Sequence, residues 1–269
     1  MTSTRPRTRR RLDAELVRRG LVESRGRAAE LVAAGRVLAG GAPVSSPARR
    51  VTLDEPLTVT GPPRRFVSRG GEKLDAALDA FAIDVSGHHV LDAGASTGGF
   101  TDCLLQRGAR HVVAVDVGRG QLAWQLREDT RVSVLDRTNV RALQPDAIDG
   151  PVNRAVVDLS FISLLTVAPA LVRCTAPDAI VVALVKPQFE AGRARVGKGG
   201  IVRDPTVHRD VLVTVARGLA AEGLPVVDAI GSPITGRDGN REFLVHIRRG
   251  AMPAGDDTLV AVVDAGAPG

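Results

Sequence analysis

From Val90 onward the chain alternates short apolar segments with stretches of helical spacing, and that alternation limits its fold more than any other feature. The apolar segments are Val90 to Asp92, Val112 to Val115, Val132 to Leu135, Ala155 to Val157, Ala179 to Val185, Val226 to Ile230 and Phe243 to Ile247. Seven strands with intervening helices predict an α/β, Rossmann-like, doubly wound and mostly parallel sheet. In that architecture ligands sit beyond the carboxyl ends of the strands. The sequence keeps its glycine-rich and charged residues at those ends.

The longest wholly apolar run, Ala179 to Val185, is seven residues and far too short to span a bilayer. The arginine-rich N-terminus has no apolar stretch behind it, so it is not read as a secretion signal. Two cysteines, Cys103 and Cys174, make neither a disulfide framework nor a four-thiolate zinc site. A cytoplasmic protein with no membrane partner and no metal is expected. Net charge divides unevenly: residues 1–73 hold 16 Lys+Arg against 7 Asp+Glu, and the remaining 196 residues hold 20 against 23. A basic module that meets a polyanion, joined to a near-neutral body, accounts for that split.

In the basic module, Leu12, Leu16 and Val17 recur at helical spacing until Gly20, and Ser24 is placed to cap a second helix that stops at Gly35. Short strands follow over Arg36 to Ala39, through Val44 after the Gly40-Gly41 turn, and over Val51 to Leu53 and Leu57 to Thr60. The outer helix faces then carry Arg11, Arg18, Arg19, Arg25, Arg27 and Arg36, which suit bidentate phosphate contacts. The run Arg11-Leu12-Asp13, Leu16, Gly20-Leu21, Ser24-Arg25, Ala28, Leu31-Val32, Gly35, Val37, Gly40, Val44 and Pro47 resembles the S4-type RNA-binding domain, with Ala39 where that family often has Asn. With no Tyr in the chain and no aromatic before Phe66, the expected partner is structured RNA read by shape and charge. The sequence divides into a disordered basic arm (1–10), the S4-type domain (11–61), an interdomain linker that begins at Pro62-Pro63 (62–73), the sheet domain (74–249) and a C-terminal tail (250–269).

The end of the first sheet strand reads Leu91-Asp92-Ala93-Gly94-Ala95-Ser96-Thr97-Gly98-Gly99: strand, glycine loop, helix start. Asp116, seventeen residues after Gly99, ends the next strand where a carboxylate can hold the ribose hydroxyls of a nucleoside cofactor. Ser96 stands where a dinucleotide fingerprint needs its second glycine, which favours S-adenosylmethionine, a cofactor without phosphate. Asp92 is placed for its amino-acid part and Asp136 for its adenine amine. Gly94, Ser96 and Gly98 shape the loop.

Four polar positions face the reacting end: Asp158 after the fourth strand, Lys186 after the strongest strand, Glu242 before the last, and Lys73 from the linker. The chain has three lysines, Lys73, Lys186 and Lys198, against 33 arginines. Guanidinium cannot lose its proton, so a lysine kept in such a chain is a candidate for proton transfer. Together these residues resemble the Lys-Asp-Lys-Glu set of FtsJ-like ribose 2′-O-methyltransferases. The whole chain, from about Arg11 to Ile247, is similar to the TlyA family of rRNA cytidine 2′-O-methyltransferases, also labelled hemolysin A-like. The most specific stretches are Ser68-Arg69-Gly70, Asp92 to Thr101, Asp158 to Ser163, Lys186 to Glu190 and Asn240 to Phe243. The resemblance implies S-adenosylmethionine as cofactor and ribosomal RNA or ribosomal subunits, small and large in the longer members, as substrate. It also implies that the linker affects cofactor binding, with Phe66 at the family's tryptophan position.

Lys186 is expected to be the base that takes the 2′-hydroxyl proton, with Lys73 as a neighbouring ammonium and Asp158 and Glu242 orienting the two lysines. Cys103, among Leu104 and Leu105, reads as packing rather than as a nucleophile. Ser160 and Ser163 have no motif-paired histidine and carry no hydrolase reading. A membrane-lytic protein and a non-catalytic ribosome-binding factor stand as alternatives.

Overall fold

The computed structural model describes residues 9–22, 25–61, 65–236 and 238–266. Ser24 and the Pro62-Pro63 linker lie outside the described residues. The chain forms two compact units, residues 1–63 and 64–269.

In the first unit, β1 (Arg9–Arg11) leads into α1 (Leu12–Arg18), then α2 (Arg25–Ala33), β2 (Val37–Ala39), β3 (Ala42–Pro43), β4 (Arg50–Thr52) and β5 (Leu57–Val59). β1 pairs antiparallel with β4, and β2 lies between β3 and β5. Arg9 and Arg10, assigned from the sequence to a disordered arm, are therefore strand residues, because Thr52 and Val51 give their backbones partners. Gly40 and Gly41 both have positive φ, +60 and +83, as a two-residue hairpin turn between paired Ala39 and Ala42 requires. Leu12, Leu16, Ala28, Leu31, Val32, Val37, Ala39 and Val51 close a core of their own.

The second unit holds α3 (Gly70–Ala80), β6 (His89–Ala93), α4 (Gly99–Gln106), β7 (His111–Val115), α5 (Trp124–Arg127), β8 (Val132–Leu135) and β9 (Val152–Val157). It continues with α6 (Leu164–Cys174), β10 (Thr175–Val185), α7 (Pro187–Glu190), α8 (Pro205–Ala221), β11 (Val226–Gly231), β12 (Phe243–Arg248) and α9 (Asp256–Asp264). The seven strands lie in the order β11-β12-β10-β9-β6-β7-β8, with β12 antiparallel to both of its neighbours and the remaining pairs parallel. All seven strands expected from the sequence are present. The connections are less regular than expected: β8 reaches β9 through 3-10 turns at Val140–Ala142 and Pro145–Ile148, and among the described residues no helix joins β11 to β12.

Chain order reverses about β6, whose neighbours are β7 on one side and β9 on the other. That switch opens a crevice past the ends of β6 and β9, where the flanking connections leave toward opposite edges of the sheet.

Two segments change place relative to the sequence division. α3 starts at Gly70, so Lys73 belongs to its first turn and not to a linker, and Phe66 is buried in one hydrophobic cluster with Leu74, Leu78 and Phe100. Residues 256–264, expected in a tail, form α9, which packs on α8 and β11 and buries Leu259 and Val263. For α9 the cause is that a short apolar spacing is too weak a signal to mark a helix until a neighbouring surface covers it.

Candidate active site

β6 delivers Asp92 and Ala93 to the crevice, and the chain then turns through Gly94 to Gly98 into α4. Gly94 and Gly98 both have φ +96, and a Cβ on Gly94 would lie 2.3 Å from the Asp158 carbonyl oxygen. Only glycine allows the loop to pass so close to the end of β9. Ser96 adopts φ +48 without being glycine. Its backbone N–H is held by Asp116 Oδ2 at 2.8 Å, which offsets the strain.

Asp92 is fully buried. Its Oδ2 accepts the Thr101 hydroxyl at 2.6 Å, while its Oδ1 is buried with no hydrogen-bond partner. Burial pushes this carboxyl up to about 7, partly opposed by the Thr101 hydrogen bond and reinforced by the nearby Asp158. An acceptor left open at such a position has one oxygen to offer an incoming donor. Asp116 Oδ1 accepts the Gly118 N–H at 2.6 Å, and Asp136 accepts the Gly120 N–H at 3.1 Å and pairs with Arg127 at 3.2 Å. Both carboxylates thus shape the 117–121 loop, and each keeps lone pairs to spare.

The reacting end is built by register. Val185 pairs with Phe243 across β10 and β12, so Lys186 and Glu242 sit one step beyond, on adjacent strands. Asp158 follows the last residue of β9, its N–H held by Ala93 O at 3.0 Å. Lys186 Nζ lies 2.5 Å from Asp158 Oδ1 and donates to Ser160 Oγ at 3.0 Å. Lys73 pairs with Glu242, and both side chains are nearly solvent-free. The sequence expectation that Asp158 and Glu242 orient the two lysines thus takes a definite form: Lys186 pairs with Asp158 and Lys73 with Glu242.

Three residues at this end were missed. Ser160 was set aside for want of a histidine, yet it orients Lys186. Glu190 accepts the Ser163 hydroxyl at 2.6 Å and the Leu164 N–H at 2.8 Å, and so ties α7, directly after Lys186, to the loop that follows Asp158. Burial raises its carboxyl above the ordinary range. Phe161 is 90% exposed at φ +65, its ring 5.1 Å from that of Phe189. The available signal was proximity: Phe161 and Phe189 each follow a site residue, Asp158 or Lys186, by three positions in a chain poor in aromatics.

The arginines of the first unit divide into two groups. Arg19 donates to Glu15 at 2.8 Å and to the carbonyls of Glu55, Leu53 and Thr52, so it is a structural clasp. Arg36 donates to Thr60 O at 2.7 Å, and Arg27, largely covered, pairs with Glu30. Arg19 and Arg36 are engaged with backbone carbonyls within the fold rather than standing as outward phosphate ligands. Arg11 and Arg25 both bind the buried carboxylate of Asp13, and Arg18 binds the buried Glu15, while each guanidinium side chain stays about half exposed. The arginine partners hold both carboxyls low, at about 2.

Cys103 is buried, and burial beside Asp75 pushes its thiol up to about 12, as packing requires. No helix among the described residues is long and apolar enough to cross a membrane.

The FtsJ-like methyltransferase model matches residues 66–249, and the S4 domain model matches residues 10–56. The 16S/23S rRNA (cytidine-2′-O)-methyltransferase TlyA of Mycobacterium tuberculosis is 56% identical over 241 residues, 89% of this chain and 90% of that protein. The chain belongs to the TlyA family of FtsJ-like methyltransferases. Hemolysin A of Brachyspira hyodysenteriae is a further relative, 39% identical over 88% of this chain and 98% of its own length. A solved structure from Streptococcus thermophilus, described as a hemolysin, superposes with a TM-score of 0.78 at 41% identity, covering 96% of this chain and 95% of that one. The FtsJ-like match takes in Phe66 and Lys73, as the burial of both within the second unit requires, and it stops before α9.

Proposed function

We propose that this protein methylates the ribose 2′-hydroxyl of a cytidine in ribosomal RNA, using S-adenosylmethionine. The observation that carries the reading is Lys186, held between Asp158 and Ser160 at the end of β10, with Asp158 packed against the Gly94 loop.

The residues around that loop fit the cofactor. Asp92 has a buried, unfilled acceptor that would take the amino-acid ammonium, Asp116 after β7 would hold the ribose hydroxyls, and Asp136 after β8 would accept from the adenine amine. When bound, the cofactor supplies an electrophilic methyl on a sulfonium. The 2′-hydroxyl is a poor nucleophile, so its proton must leave as the new C–O bond forms. Lys186 Nζ accepts that proton from the hydroxyl oxygen and passes it to solvent. Asp158 and Ser160 fix the direction of the amine, and Asp158 stabilises the ammonium it becomes. Glu242 and Lys73 close the far side of the site and exclude water. Phe161, exposed on a strained backbone beside Ser160, offers a ring face on which the target base stacks once drawn out of its RNA fold. Arg11, Arg18 and Arg25, held in place by buried carboxylates, are the arginines suited to RNA phosphates.

The test is incorporation of labelled methyl into 16S and 23S rRNA, as free RNA and as ribosomal subunits, followed by mapping of 2′-O-methylated positions. Wild-type protein should label a cytidine ribose. Lys186→Ala should lose about 10²- to 10⁴-fold in rate, and Lys186→Arg should do no better because guanidinium keeps its proton. Full activity in both variants would remove Lys186 from its role. Absence of ribose methylation by the wild type on every form of rRNA would remove the function itself.

A further inference from the structure

Three consecutive residues before β12 each fasten a different part of the fold. Asn240, almost fully buried, accepts the Val202 N–H at 2.9 Å and donates to Gly200 O at 2.9 Å. Glu242 holds Lys73 of α3. Between them Arg241 reaches the opposite way, as alternation along an extended backbone requires. Its Nη1 donates to Val263 O at 2.7 Å, and its Nη2 donates to Val262 O at 3.0 Å and Gly266 O at 2.9 Å. Val262 and Val263 belong to the C-terminal turn of α9 and Gly266 lies just past it, at a helix end whose dipole favours a cation. The guanidinium also lies over the Phe243 ring, 5.0 Å from its centroid, which fixes it from the strand side.

We infer that α9 belongs to the catalytic apparatus, with Arg241 as the positioning residue that transmits its anchorage to Glu242. The inference rests on the methyl-transfer reading above and extends it to a helix outside the FtsJ-like match. α9 is itself docked on the body of the fold: Leu259 and Val263 are buried in the sheet core, and the exposed pairs Arg209–Asp264, at 2.8 Å, and Arg217–Asp256 add to that packing. Arg241 cannot shift without breaking three hydrogen bonds to a helix end that is itself docked. Glu242 shares its backbone, and the space around Glu242 is tight: a Cβ on Gly236 would fall 2.5 Å from its Oε1. A small displacement at Arg241 therefore reaches the Glu242–Lys73 pair directly. Arg241 touches no reactant in this scheme. Its effect is on the placement of Glu242, not on binding of cofactor or RNA.

The experiment uses the full-length protein with ribosomal subunits. Steady-state methyl transfer is measured together with equilibrium binding of S-adenosylmethionine and hydrogen exchange of the amides of residues 256–264. Arg241→Ala should lower kcat roughly 10- to 100-fold, the scale of an ångström-sized misplacement. Cofactor affinity should stay within about twofold and exchange in α9 should quicken. Arg241→Lys, which can still donate to helix-end carbonyls, should recover part of the loss. Asp264→Ala, at an exposed ion pair and certain to be less disruptive, should lower kcat several-fold in the same sense. The proposal is overturned if Arg241→Ala keeps kcat within twofold, if cofactor affinity falls in step with kcat, or if Lys is no better than Ala. Glu242→Ala and the wild type separate the two levels: an active wild type with an inactive Glu242→Ala and an unaffected Arg241→Ala refutes only the role of α9, whereas a wild type without ribose methylation refutes the reading beneath it.

Discussion

Replacing Asp92 with Asn takes a titratable group out of a site with no solvent, and the structure sets both the sign and the size of the result. The unfolded carboxyl titrates at 3.8 and the folded one at about 7, because burial disfavours the anion. Below about pH 4 both states hold the proton, and above about pH 7 neither does. Between those limits the folded state holds a proton that the unfolded state has released, so this group's contribution to stability is present at acid pH and is lost as pH rises through 7. From pH 5 to pH 8 the loss is about two pKa units' worth, or ~2.7 kcal/mol. Asparagine does not titrate. Its amide nitrogen inherits the partnerless position at a cost of ~1–3 kcal/mol, but that cost is the same at every pH. Urea unfolding followed by far-ultraviolet circular dichroism at pH 5, 6, 7 and 8 should therefore show the variant gaining ~2–3 kcal/mol on the wild type as pH rises. A difference between the two that stays constant to within ~1 kcal/mol would refute the buried-proton argument. The same charge favours the cofactor's ammonium, so binding at pH 6 should expel a proton from the wild type and none from Asp92→Asn, read from the buffer dependence of the calorimetric enthalpy.

The two groups of S4-unit arginines predict opposite phenotypes. Arg19→Ala should destabilise that unit by ~1–3 kcal/mol in thermal unfolding, since three carbonyls and buried Glu15 lose a donor. Arg25→Ala should leave stability nearly unchanged while weakening RNA binding and reducing its salt dependence by about one charge. Phe161→Ala should lower kcat/KM on ribosomal subunits by roughly 5- to 100-fold, the worth of one stacked base, with cofactor affinity unchanged by direct titration. Glu190→Ala should slow transfer and lower the melting temperature by several degrees, because the Ser163 hydroxyl and the Leu164 N–H lose their shared acceptor. A Glu190→Ala protein with unchanged kcat would show that the two loops hold their geometry unaided.

The amino-acid order alone marked the seven strands, the elements of the first unit, the glycine loop, and Asp158, Lys186 and Glu242 as polar residues at strand ends, because each is a local pattern; the grouping of those three with Lys73 came from the family resemblance. Pairing is not local. Which carboxylate holds which lysine depended on the β9-β10-β12 register, which brings Asp158 to Lys186 and leaves Glu242 for Lys73 across a separation of 169 residues. The same is true of Arg19 and Arg36, whose guanidiniums looked like surface charge until folding placed uncapped carbonyls within reach. Ser160, Glu190 and α9 also became visible only in three dimensions. Their contribution is to hold other residues still, and holding is a property of contacts that no single segment contains.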